Sequence, residues 1–126
     1  MKSIGKNVRA PKPIGPYSSA VRAGSLLFVS GQIPVDPATG AVVGGGITAQ
    51  AGRVLDNIRL ILEDNGLTMA SVVKTTLYVK DLGQFGAVNQ VYGEYFQKEH
   101  PARVTVEVSR LPKDVDIEID AIAVFE

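Results

Sequence analysis

The stretch Arg103-Val104-Thr105-Val106-Glu107-Val108-Ser109-Arg110 is joined by Leu111-Pro112-Lys113-Asp114-Val115 to Asp116-Ile117-Glu118-Ile119-Asp120-Ala121-Ile122-Ala123-Val124-Phe125. Side chains of a strand point alternately to its two faces, so a period of two marks both stretches as half-buried strands. In the first, Val104, Val106 and Val108 oppose Arg103, Thr105, Glu107 and Ser109. In the second, Ile117, Ile119, Ala121, Ala123 and Phe125 oppose Glu118, Asp120, Ile122 and Val124. The short link predicts an antiparallel pair, with Ser109 near Glu118, Arg103 opposite about Val124, and both apolar rows on one face. At about 3.3 Å per residue this pairing puts the backbones of Arg103 and Glu118 about 20 Å apart on the same mixed face.

Working back toward the N-terminus, Val72 to Lys80 reads as a third strand, with Val73, Thr75, Leu77 and Val79 against Lys74, Thr76, Tyr78 and Lys80. Two helical patterns flank it. Ala51, Val54, Leu55, Ile58, Ile61 and Leu62 make an apolar stripe between a Thr48 cap and about Asp64, ended by Gly66. Phe85, Val88, Tyr92, Tyr95 and Phe96 make another, between an Asp81 cap and the stop at Pro101, and read as packing rather than a ligand cage. Ser19 to Arg22 and Leu26 to Val29 around Ala23-Gly24-Ser25 suggest a hairpin. Asp36-Pro37-Ala38-Thr39-Gly40 is a strong turn, and the proline-rich Ala10 to Tyr17 an extended arm. Gly44-Gly45-Gly46 lacks the residues of a phosphate loop and reads as a connector. The order is ββαβαββ, an α+β domain with both helices on one face of a mixed sheet. The other face, charged yet carrying Ile122 and Val124, is left uncovered and is a candidate subunit interface.

The chain has 126 residues, enough for one domain, residues 1–126, and 45% of them are apolar. Thirteen basic and thirteen acidic residues cancel, so no global field draws nucleic acid or acidic membrane. No cysteine is present, which removes thiolate nucleophiles, disulfides and zinc–thiolate sites, and the single histidine, His100, excludes the usual multi-histidine metal sets. No signal-peptide core or membrane-length apolar run occurs, so a soluble cytoplasmic protein without metal is expected.

Taken one at a time, the polar candidates have ordinary explanations. Arg103 suits a surface ion pair, Glu107 and Glu118 suit cross-strand partners, and Tyr17 suits a loop anchor. His100 suits a helix C-terminus, where a cation favours the dipole. Asn89, a polar interruption of an apolar stripe, suits a loop contact.

Together they form a pattern. Pro101-Ala102-Arg103-Val104-Thr105-Val106-Glu107-Val108, Arg110-Leu111-Pro112-Lys113-Asp114 and Ile117-Glu118-Ile119 closely resemble the signature of the Rid (YjgF-type) family of reactive intermediate deaminases. Ile14-Gly15-Pro16-Tyr17, Ser30-Gly31-Gln32-Ile33-Pro34, Gln50 through Leu55-Asp56-Asn57, and Val73-Lys74-Thr75-Thr76 resemble its other landmarks, in its order and spacing. The resemblance covers nearly the whole chain. It implies a chorismate-mutase-like fold assembled as a homotrimer with clefts between subunits, and no cofactor. The implied activity is that of a 2-iminobutanoate/2-iminopropanoate deaminase. Such an enzyme hydrolyses 2-aminoacrylate and related enamine/imine products of pyridoxal-phosphate enzymes to 2-oxo acids and ammonia. Carried over, Arg103 is the carboxylate clamp and Glu118 holds the attacking water. Tyr17, Ser30, Gly31 and Thr105 line the cleft, with Asn89 a further candidate. Many relatives have cysteine where this chain has Thr105, so thiol chemistry is excluded there. Arg103 favours the deaminase branch, since other branches lack it. The rivals are a non-catalytic binder of small 2-oxo or amino acids acting as a metabolic regulator, and an RNA-directed activity, a label also attached to this family. Zero net charge and the absence of a basic cluster with interleaved aromatics argue against the latter.

Overall fold

A computed structural model describes all residues, 1–126. Its elements are β1 (Lys2–Ile4), β2 (Ala20–Ala23), β3 (Leu26–Gln32), α1 (Gly46–Asp64), β4 (Val72–Val79), α2 (Phe85–Tyr95), β5 (Ala102–Glu107) and β6 (Ile117–Val124). They build one mixed sheet in the order β1-β2-β3-β6-β4-β5. β6 lies antiparallel between β3 and β4, and β5 runs parallel to β4. The chain is thus two strand–helix–strand crossovers, β3-α1-β4 and β4-α2-β5, with the last strand inserted between the first two. The expected α+β class, the hairpin and both helices are present. No helix is long and apolar enough to cross a membrane.

Both helices pack on the face defined by Leu27 and Val29, Leu77 and Val79, and Ile117, Ile119, Ala121 and Ala123, all buried. The stripe of α1 seals it, with Ala51, Val54, Leu55, Ile58, Ile61 and Leu62 at zero exposure. Burying an aliphatic side chain of this kind stabilises by about 1.5–3 kcal/mol.

Several expectations fail. β5 and β6 do not pair, because both flank β4; residues 108–116 carry the chain past it. Arg103 pairs with Thr75, not with a residue near Val124. The β5 faces are also reversed. Thr75 is buried beneath the helices, so Arg103 beside it turns toward α2, while Val104 and Val106 are exposed on the uncovered face. A register shift between Val72 and Lys74 likewise exposes Val73 and puts Val72 in the core. The first helix starts at Gly46 with Gly45 as N-cap at φ 99°, not at a Thr48 cap, so the glycine run begins the helix. Asp81 caps a short 3₁₀ turn, Leu82–Gln84, that leads into α2. Phe85 is 41% exposed rather than packed inward. α2 ends at Tyr95, so His100 lies beyond it, exposed, and caps nothing. β1 is an additional edge strand.

Candidate functional site

The candidate residues fall into two clusters on opposite faces of the sheet. The first surrounds a cleft of about 470 Å³ between the N-terminal arm, the end of β3 and the start of β6. Tyr17, Ser30, Gly31 and Glu118 all line it, beside Ile14 and Lys113. The pairing of β3 with β6 shifts between Val29 and Gln32, a bulge that turns Ser30 and Gly31 out of the regular ladder. Ser30 is fixed by its hydroxyl, which donates to Ser18 O at 2.6 Å, and by its amide, which donates to Ser19 O at 2.9 Å. Tyr17 is half-exposed, its hydroxyl accepting from Ile14 N at 3.3 Å.

Glycine at position 31 lets the Glu118 carboxylate lie directly against the backbone. A Cβ there would stand 2.1 Å from Glu118 Oε2. Glu118 is partly buried and accepts no hydrogen bond from the chain, so its oxygens are available to a ligand. Burial, and secondarily the nearby Asp120 carboxylate, raise its pKa above the ordinary glutamate value. Two buried polar side chains of α1 brace the rim. Asn57 donates to Val35 O at 2.9 Å, and Gln50 accepts from Asp116 N at 2.8 Å, two residues before Glu118.

The second cluster lies between α2 and the edge strand β5. Phe85, Asn89 and Tyr92 sit at i, i+4 and i+7 of the helix and form one stripe. Beneath them Arg103 places its guanidinium carbon 4.8 Å from the Tyr92 ring centroid and 5.3 Å from that of Phe85. None of the chain's ion pairs includes Arg103. Asn89 Oδ1 and Thr105 Oγ1 are buried without a hydrogen-bond partner. An unpaired cation beside two orphaned polar atoms is what a site awaiting an anionic, hydrogen-bonding ligand presents. Tyr92 has its pKa raised by burial, against the opposing effects of its Thr75 hydrogen bond and of Arg103.

Within one chain the clusters do not meet. Glu118 pairs with Tyr78, and Tyr78 with Val106. Arg103 is therefore two strands across from Glu118 and three residues along, about 10 Å in each direction, and on the other face. The expected common face is wrong and the expected 20 Å too long, but the separation is real. Reading the aromatic stripe as packing alone missed the part Tyr92 and Phe85 play beside Arg103. Their i, i+4, i+7 spacing with Asn89 was the signal available.

Residues 7–125 match the family model described as Endoribonuclease L-PSP. A RutC family protein of Pyrococcus horikoshii is 56% identical over 126 residues, covering 100% of both chains. A Thermotoga maritima protein solved as a candidate endoribonuclease has a TM-score of 0.96 at 49% identity, covering 100% of this chain and 99% of its own. Escherichia coli TdcF, solved with bound serine, has a TM-score of 0.92 at 43% identity, covering 98% and 99%.

Proposed function

This chain belongs to the endoribonuclease L-PSP family, the YjgF/RutC/Rid group, and from that premise we propose that it is a 2-iminobutanoate/2-iminopropanoate deaminase. Its substrates are the small imino acids that arise from enamines of the 2-aminoacrylate type. The observation that carries this reading is Arg103, a guanidinium held against aromatic faces with no carboxylate of its own chain. Its planar fork matches a substrate carboxylate in bidentate fashion and fixes C2 of the imine. Glu118, with its raised pKa, takes a proton from water as the oxygen attacks C2. The tetrahedral carbinolamine then loses ammonia, Glu118 returning the proton to nitrogen, and the 2-oxo acid remains. Water supplies the oxygen, so no redox partner enters the balance. Tyr17, Ser30 and Gly31 shape the cleft around the attacking water, and Thr105 and Asn89 offer their orphaned polar atoms to the substrate.

Because Arg103 and Glu118 face opposite sides of one sheet, the reading requires a second copy to bring the two clusters together. The free edge of β5 and the exposed Phe28, Val73, Val104 and Val106 of the uncovered face offer the surface for it. A homotrimer with clefts between subunits satisfies this, in the cytoplasm where pyridoxal-phosphate dehydratases release their products. The alternative, a small-acid binder without turnover, is favoured by the serine bound to TdcF. Coupling a threonine or serine dehydratase to this protein and following loss of the imine separates the two. Deamination faster than the spontaneous rate supports the enzyme, and an unchanged rate with retained 2-oxo acid binding supports the binder.

A further inference from the structure

Arg103 is held in an unusual way. A guanidinium in a partly dry setting is normally fixed by a carboxylate, which neutralises it and occupies its N–H donors. Here its neighbours are rings. Tyr92 and Phe85 lie within the roughly 6 Å range over which a cation is attracted to an aromatic face. A ring meets the cation without accepting its N–H groups in the way a carboxylate does, and the charge persists.

The inner ring is itself locked. Tyr92 OH shares a 2.7 Å hydrogen bond with Thr75 Oγ1, and both residues are buried. Phe96 packs on the same ring at 4.6 Å between centroids. Thr75 is also the residue paired with Arg103 across β4 and β5. The connection therefore closes on itself: Arg103 backbone to Thr75, Thr75 hydroxyl to Tyr92, Tyr92 ring to the Arg103 guanidinium. A long, flexible side chain is thus confined from both ends by residues of its own chain.

Building on the reading of Arg103 as the carboxylate clamp, we propose that Tyr92, tethered by Thr75 and flanked by Phe85, is a positioning residue that presets the Arg103 guanidinium for the substrate carboxylate. Tyr92 itself touches no reacting atom. Its contribution is entropic and geometric: the fork is oriented before the substrate arrives, so less freedom is lost on binding.

The test is a double-mutant cycle. Tyr92→Met preserves bulk but removes the ring, and is expected to lower kcat/KM about 5- to 30-fold, through KM more than kcat. Tyr92→Phe keeps the ring and cuts only its tether to Thr75, so its loss should fall between those of wild type and Tyr92→Met, at about two- to threefold. In an Arg103→Ala background the same Tyr92→Met change should cost almost nothing, because the group it positions is gone. An equal loss in both backgrounds would mean a merely structural tyrosine and would overturn the proposal. A second readout needs no ligand. The Nε–Hε resonance of Arg103, assigned by its disappearance in Arg103→Ala, should be shifted by the ring currents and move toward the free-arginine position in Tyr92→Met. Should that variant fail to fold, Phe85→Leu, at an exposed position, should move the resonance in the same direction. An Arg103 resonance indifferent to both rings would overturn the proposal. Calorimetry with 2-oxobutanoate completes the separation: a wild type that neither binds it nor deaminates refutes the assigned function, while the resonance still decides whether the rings hold Arg103.

Discussion

At Arg103 the cost of truncation follows from what is left behind. On the proposed reading, Arg103→Ala removes the partner of the substrate carboxylate, a loss of about 2–5 kcal/mol if that pair is desolvated. At about 1.36 kcal/mol per tenfold, kcat/KM is expected to fall from about 30-fold to several thousand-fold, with Arg103→Lys rescuing only in part because it lacks the fork. Unchanged melting with lost steady-state activity is the expected pattern. Glu118→Gln keeps the shape and removes the proposed base, so on that mechanism kcat should drop about 10²–10⁴-fold with 2-oxobutanoate binding retained. The same substitution has a stability signature. The folded chain holds the Glu118 proton more tightly than the unfolded chain, since burial and Asp120 raise its pKa. The stability this provides is fully present below the ordinary glutamate pKa and is lost as pH rises through the raised one. Glu118→Gln should therefore melt increasingly above wild type as pH rises through that window, and show no such trend below it. Gly31→Ala probes the same carboxylate from outside. The new Cβ would press on the flexible end of Glu118 rather than on backbone, so the fold should survive while kcat falls on the order of 10²-fold.

The elements explain why those residues are held, and why only some of this was readable in advance. The arm that carries Tyr17 is fastened to the end of α1: Asp64 accepts from Val8 N at 2.8 Å and from Arg9 Nε at 2.9 Å. Asn65 accepts from Lys6 N at 2.8 Å and donates to Lys6 O at 2.9 Å. Burial pushes the Asp64 pKa up, but hydrogen bonds from Val8 and Arg9 outweigh it and hold the group below the usual carboxylate range. Its contribution is present above the ordinary Asp pKa and lost as pH falls through the lowered one. Asp64→Ala is expected to lower Tm by about 3–8 °C at neutral pH and to raise KM by freeing the arm, with the Tm difference fading in strong acid. Helix α1 and strand β6 were legible because their apolar periods are unbroken and one face of each meets the core, and α2 was legible through a stripe that only Asn89 interrupts. β5 was not. Its valines alternate as cleanly as the isoleucine and alanine row of β6, yet alternation says only that two faces differ, never which one is covered. Val73 was misplaced for a related reason: the shift beside it in the pairing of β4 with β6 resets the period, and no local residue announces it. The short link between β5 and β6 suggested a hairpin, but buried Leu111 and Val115 anchor it as a bridge past β4.

For the whole molecule, the decisive fact is that the two clusters use opposite faces of one sheet. Arg103, Thr105 and Asn89 of one cluster and Tyr17, Ser30, Gly31 and Glu118 of the other are legible through the resemblance to a family, whereas Phe85 and Tyr92 are not, and the hairpin that the short link suggests between the last two strands does not exist. The corrected geometry strengthens the case for a shared site: one small imino acid cannot touch Arg103 and Glu118 across the thickness of a sheet. A second copy, seated on the uncovered face and the free edge of β5, can bring its own Glu118 to the first copy's Arg103. Mixing tests this directly. Arg103→Ala and Glu118→Gln proteins are unfolded together at equal amounts and refolded, with exchange confirmed by native mass. Each shared site then draws its arginine from an intact donor half the time and its glutamate from an intact donor half the time. About a quarter of the sites should be whole, and kcat per chain should recover to about a quarter of wild type from two nearly inactive parents. A site contained in one chain cannot be rebuilt this way, because every chain in the mixture lacks one of its two groups. Confirmed hetero-assemblies without recovered deaminase activity would therefore mean that Arg103 and Glu118 serve a site within one chain, and would overturn the shared site.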